Sequence, residues 1–311
     1  MSNPLAEATI GSVSPPMVLL LVIVTVAYAK RVHSLAGTRR SVRRLRQVSF
    51  YSAIVVLIAE PLSPIGPWAE LSFTAHMLEH LAIGDLAALL MVLGLTGPLI
   101  QPLLKNPIVA ALRPLTHPLV AVAFWILNLY LWHLPVLFGA ALDYDSVHVI
   151  QHMLFFSAGF NMWMALFGPL PQPAWFGNIA KLFYIVGVRV AGVLLGNVFV
   201  FSGTTYYAQY ESAENPFGLS PLADQSTAGA VMMAEGTFIS FVLFAWLFYR
   251  AAREGEESQK LLDLANQHGI AVTDARTARA AAAGTTDLLR ERISSRAGEK
   301  TSPATDRDGE P

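Results

Sequence analysis

Apolar runs almost free of charge recur along this chain at residues 13–29, 48–60, 73–95, 117–138, 147–167, 182–201 and 228–249. Most approach the ~20 residues that carry an α-helix across ~30 Å of hydrocarbon. The pattern predicts an all-α, polytopic membrane protein with about seven transmembrane helices. The second run is short and ends against Pro61, Pro64 and Pro67. Proline cannot continue a helix interior, so that outer boundary is the least defined of the set.

Composition agrees with the pattern. The chain is 54% hydrophobic and 14% charged, where a soluble domain carries about a quarter charged residues. A net charge of −1 conceals a strong asymmetry: Lys30, Arg31, Arg39, Arg40, Arg43, Arg44 and Arg46 share one connection with no acid among them. Basic connections stay in the cytoplasm, and Lys105, Arg113, Lys181 and the many basic residues from Arg250 onward all fall on the same side as that loop. Arg189 alone lies within a span. The expected topology is N-terminus out and C-terminus in, in a bacterial inner membrane. Residues 1–250 form the transmembrane domain, with lipid and not nucleic acid around it, and 251–311 form a charged cytoplasmic tail. In that tail "EGEESQKLLDLANQHG" reads as helical and "SSRAGEKTSPATDRDGEP" as compositionally disordered. Ala27-Tyr28-Ala29 has the form of a signal-peptidase site, but Glu7 and no basic segment precede the run. Cleavage there would also leave the arginine-rich loop outside, so the run is read as a span. The chain has no cysteine, which leaves soft-metal chemistry to His and Met.

An internal repeat places the histidines. "HMLEHLAIGDLAALLMVLGLTGPLIQP" at 76–102 and "HVIQHMLFFSAGFNMWMALFGPLPQP" at 148–173 share H-x-x-x-H followed by G-P-L-x-Q-P. The interval from His80 to Gly97 is 17 residues and that from His152 to Gly168 is 16. Both copies run from outside to inside, which sets His76, His80, His148 and His152 in the outer turns, with Ser72 or Thr74 and Asp145 as candidate helix caps. His133 ends the oppositely directed fourth span on the same side. Five of the eight histidines therefore share one level. A spacing of four stacks each pair on one helix face, with Cβ atoms ~5–6 Å apart. Met77 and Met153 adjoin the pairs, with Met232 and Met233 further off, and thioether together with imidazole suits Cu(I).

These residues, with "LYLWHLPVLFGAALDYDSVHVIQHMLFFSAG" at 129–159 and "SPLADQSTAGAVMM" at 220–233, resemble the caa3-type cytochrome c oxidase assembly factors, the CtaG-like seven-span membrane proteins. The resemblance covers roughly residues 70–250. It implies a protein needed to make active cytochrome c oxidase, with the oxidase subunits as partners, copper as transient cargo and an extracytoplasmic copper carrier as a possible source. The shared residues it implies are His76, His80, His133, His148 and His152, with Asp224 and Gln225 opening the last span. Ala234 departs from the pattern where an aromatic is expected, as does the long charged tail.

Three charges fall inside spans: Asp85, Arg189 and Glu235. Charges in lipid usually pair inside a bundle, so Arg189 is expected to be neutralised by Asp85 or Glu235. Gly192 and Gly196 form G-x-x-x-G, a close-packing signal. The 202–225 connection is long enough to cover the histidines. Competing readings remain. H-M-L-E-H fits a zinc-peptidase arrangement with Glu79 as base, although the second copy has Gln151 there. Paired H-x-x-x-H boxes occur in diiron hydroxylases, though on the cytoplasmic face. His80 and His152 fit a bis-histidine haem, and the buried charges fit a copper or proton transporter. The preferred reading is an assembly factor with no turnover chemistry of its own.

Overall fold

A computed structural model describes residues 15–111, 113–282 and 284–301. Every regular element among them is helical, and they divide into two compact units, the described residues up to Ser240 and those from Phe241 onward. The main helices are α1 (Pro15–Leu35), α2 (Arg44–Leu62), α3 (Ile65–Ala69), α4 (Phe73–Gly94), α5 (Pro118–Trp132), α6 (Pro135–Asp143), α7 (Asp145–Phe167), α8 (Asn178–Phe201), α9 (Pro221–Gln267), α10 (Asp274–Ala282) and α11 (Thr286–Thr301).

Six of these, α1, α2, α4, α7, α8 and α9, are long and apolar enough to cross a membrane. The expected fourth span is not one straight helix. It breaks after Trp132, and α5 and α6 meet at a bend of 73°. The cause is Pro135, which has no N–H and keeps Leu134 out of helical geometry (φ −66°, ψ 133°). Counted as one span the bent pair makes seven.

The repeat helices α4 and α7 are the centre of the first unit. Over their apolar windows 61% and 56% of residues are buried, against 17% in α1. They meet at Gly84 and Gly159, where a Cβ on Gly159 would overlap the Gly84 carbonyl. The one-residue difference between the repeats also has a structural form. Ala82–Ala87 of α4 is a π turn, which accommodates one extra residue in a helix, whereas α7 is α-helical throughout. Gly196 of α8 packs closely too, but on Gly229 of α9. A Cβ at Gly192, its partner in the sequence motif, would point into open space.

In the second unit the end of α9 packs with α10 and α11 through Leu261, Ala265, Ile270, Leu289 and Ile293. Gly269 takes φ +61°, the left-handed geometry that ends a helix at low cost to glycine. Residues 294–301, read from composition as disordered, continue α11. Leu289 and Ile293, four apart, put an apolar stripe on that helix. Residues 302–311 lie outside the described part.

Candidate metal centre

The N-terminus of α4 is fixed first. Ser72 caps it, accepting from Ala75 N (3.3 Å) and donating to Asp224 Oδ1 (2.8 Å). Asp224, at the start of α9, also accepts from Phe73 N (2.7 Å) and Thr74 N (3.1 Å), and the Thr74 hydroxyl donates to its backbone carbonyl (3.0 Å). A carboxylate on the free N–H groups of a first turn meets both unpaired donors and the positive helix end. His76 and His80 follow within two turns, so Asp224 sets where they stand. Asp145, by contrast, caps nothing: it is the first residue of α7, and Tyr144 stands at the cap without a side-chain bond.

Five imidazoles converge. Ring centroids lie 4.4 Å apart for His76 and His80, 5.4 Å for His76 and His148, 5.5 Å for His80 and His152, 4.2 Å for His148 and His152, and 6.5 Å for His80 and His133. One ligand nitrogen from each of His76, His80 and His148 falls within 4.8 Å of the others, and the same holds for Glu79, His148 and His152. Both ring nitrogens of His76 and of His80 are buried without a hydrogen-bond partner, as are Nε2 of His148 and of His152 and Oε2 of Glu79. A buried donor or acceptor left unpaired costs about 1–3 kcal/mol. With one lone pair on each neutral ring, the cluster offers several unused ligand atoms close enough to share an ion.

His133 adds a further donor. Its Nδ1 lies 2.7 Å from the Leu129 carbonyl, which can only accept. A neutral ring has one N–H, so Nε2 carries a lone pair, and it faces Met77 Sδ at 3.3 Å. Met77 is buried with the cluster; Met153, 59% exposed, points away from it. Among the other methionines, Met232 lies in the aromatic core and Met233 packs on Gly196.

Several residues that complete the site carry no motif. Glu60, buried at the end of α2, has its carboxyl within hydrogen-bonding reach of Glu79. Phe138 of α6 packs on His76 (4.7 Å), and Phe155 stacks on His80 (4.3 Å). The 202–220 connection is fastened over them. Tyr207 stacks on Phe138 (4.0 Å) and donates to the His133 carbonyl (2.9 Å), while Tyr210 donates to the Ala69 carbonyl (2.9 Å). Burial pushes both phenols well above their ordinary range, so they stay neutral donors. Gln225 holds the same connection, accepting from Tyr206 N (2.8 Å) and donating to the Thr204 carbonyl (3.0 Å). Sequence signals for these contacts are limited to an acid closing an apolar run at Glu60 and aromatics around the Trp132-His133-Leu134-Pro135 turn.

A second polar group lies deeper along α4. Arg189 reaches Asp85 through two hydrogen bonds (2.6 and 3.1 Å) and Glu235 at 3.5 Å, and Trp163 stacks on its guanidinium at 5.4 Å. Trp163 Nε1 donates to the Asp85 carbonyl (3.1 Å). The expected pairing of Arg189 is thus made chiefly with Asp85.

The histidines, the turn from Trp132 to Pro135 and the Asp224 anchor thus lie in one helical unit. The sequence profile described as cytochrome c oxidase caa3 assembly factor (Caa3_CtaG) matches residues 21–254. The chain belongs to that family. Curated relatives include uncharacterized proteins of Mycobacterium bovis (Mb0105) and Mycobacterium tuberculosis (MT0111), each 23% identical over 232 residues, a stretch covering 68% of this chain and 34% of the relative. This chain thus corresponds to about a third of their length. No solved structure matches it. The family membership and the apolar helices together mark a multi-pass membrane protein.

Proposed function

We propose that the protein holds copper transiently at the five-histidine cluster and assists copper-centre formation in a cytochrome c oxidase. The observation that carries this reading is the set of buried, unpartnered nitrogens on His76 and His80 with His148 beside them. His133 Nε2 opposite Met77 Sδ supports Cu(I) in particular, because imidazole and thioether are soft, exchangeable ligands. Copper is cargo here and the site does no turnover chemistry of its own. The arginine-rich 30–46 connection argues for an extracytoplasmic position of the cluster in a bacterial inner membrane. The oxidase subunits would then be the acceptor, and an extracytoplasmic carrier a fitting source.

Two competing assignments fit the packing less well. Phe155 on His80 and Phe138 on His76 fill space that a porphyrin plane between histidines would need. Glu79 Oε2 faces His148 and His152 of the other repeat helix (3.7 and 3.6 Å), the place of a further ligand to the cluster and not of a base serving a site on its own helix. The test is copper K-edge spectroscopy on the purified protein beside the His76→Leu/His80→Leu variant, with oxidase copper content measured in cells carrying each. The expected result is a nitrogen-rich shell lost in the variant together with copper-poor oxidase. Full oxidase copper in cells with the variant would remove the functional claim.

A further inference from the structure

The contacts of Glu79 carry the reading above one step further. Its Oε2 lies 3.7 Å from His148 Nε2 and 3.6 Å from His152 Nε2. A hydrogen bond between such groups would be about 2.7–3.2 Å, so these atoms neither bond nor separate. Two ligands held by one ion at ~2.0–2.1 Å each stand ~3.3–3.6 Å apart at tetrahedral to trigonal angles. The spacing found is that of ligands sharing a cation. All three atoms are buried and unpartnered, and Glu79 as a residue is only 3% exposed. Glu60 adds a second carboxyl against the first.

This group is chemically unlike its neighbour. His76 and His80, with His133 and Met77 beyond them, offer nitrogen and sulfur only, whereas Glu79 and Glu60 bring oxygen. Carboxylate and imidazole together suit a divalent first-row ion, and nitrogen with thioether suits Cu(I). Access differs as well. The side chains of His148 and His152 are 28% and 21% exposed, while His76 is fully buried and His80 is 5% exposed. His148 belongs to both groups.

We propose that the centre has two adjoining cation positions: an outer one for a divalent first-row ion at Glu79, His148 and His152, supported by Glu60, and an inner one for Cu(I) at His76 and His80. They share His148, so that an ion held at the outer position lies one ligand away from the inner one. This rests on the copper-holding reading and adds to it a second site of different ligand class.

The full-length protein in detergent can be titrated with Cu(I) against a competing chelator under anaerobic conditions, and with Co(II) followed by its visible d–d bands. The wild type is expected to hold one of each together. Glu79→Gln should weaken Co(II) by more than the roughly 10–100-fold that loss of an outer-shell partner costs, while leaving Cu(I) bound. His152→Gln, a change at a partly exposed residue outside the inner group, should do the same and serves if Glu79→Gln fails to fold. His76→Leu/His80→Leu should lose Cu(I) and keep Co(II). If wild type takes up Cu(I) and no Co(II), or if both outer-position variants bind Co(II) as wild type does, the second position is overturned and the copper reading stands. Failure to bind either ion would overturn both.

Discussion

Asp224 and His76 are equally deep, 1% and 0% exposed, and Asp224 of α9 bonds the first turn of α4 just ahead of His76, yet they are treated oppositely by their surroundings. The Asp224 carboxylate accepts three hydrogen bonds. Asp85 and Arg189 are likewise joined by two. His76 and His80 offer four nitrogens to nothing. Buried polar atoms in folded proteins are nearly always satisfied, so the two treatments distinguish two duties. The satisfied groups fix helices where they are, and the unsatisfied ones leave capacity for a ligand. In the same unit, then, charge is used as structure at Asp224 and Arg189, and imidazole is kept available at the cluster.

The largest effect that separates the two duties is expected at Arg189. Arg189→Met leaves Asp85 buried and unpaired, which costs about 3–5 kcal/mol. Thermal unfolding in detergent should show it, and adding Asp85→Leu should return most of the loss, since replacing both partners is often near neutral. A small loss in the single variant would mean that Asp85 is not left as a buried unpaired charge, and the pair would not belong to the fixed framework.

The opposite sign is expected at the cluster. His80→Leu keeps nearly the same volume and removes two unpartnered nitrogens, so the metal-free protein should gain about 1–2 kcal/mol while its copper affinity falls. Unfolding measured with and without copper reads both. If His80→Leu destabilises the metal-free protein as Arg189→Met does, the nitrogens have partners after all and the contrast between the regions disappears.

Much of this was readable in the residues, for reasons that differ by feature. Spans follow from apolar run length, and the convergence of His76, His80, His148 and His152 follows from spacing and repeat. The π turn was present as 17 residues against 16, but an interval does not say which residue is extra. Glu60 was hidden because its partner Glu79 lies on another helix and nothing local marks the pair. Met77 and Met153 show the limit most clearly. Each follows a histidine by one residue, about 100° around the helix. Met77 falls on a side of α4 that the fold covers, whereas Met153 falls on an uncovered side of α7. Sequence offset is the same in both, and only packing distinguishes them.

The smallest effect tests whether the cover over the histidines belongs with the satisfied framework. Tyr207→Phe removes one hydrogen bond to the His133 carbonyl and keeps the ring on Phe138, so a loss of about 1 kcal/mol is expected at neutral pH. Alkali supplies a second reading. Burial raises the Tyr207 phenol above its ordinary 10.0, so the folded protein favours the neutral form. That contribution is complete below pH 10 and is lost as pH rises towards the folded value. Wild type should therefore lose stability faster than Tyr207→Phe above pH 10, and the gap between them should close. A gap that stays constant from neutral pH to alkali would mean that the phenol is hydrated and the 202–220 connection is not fastened over the cluster.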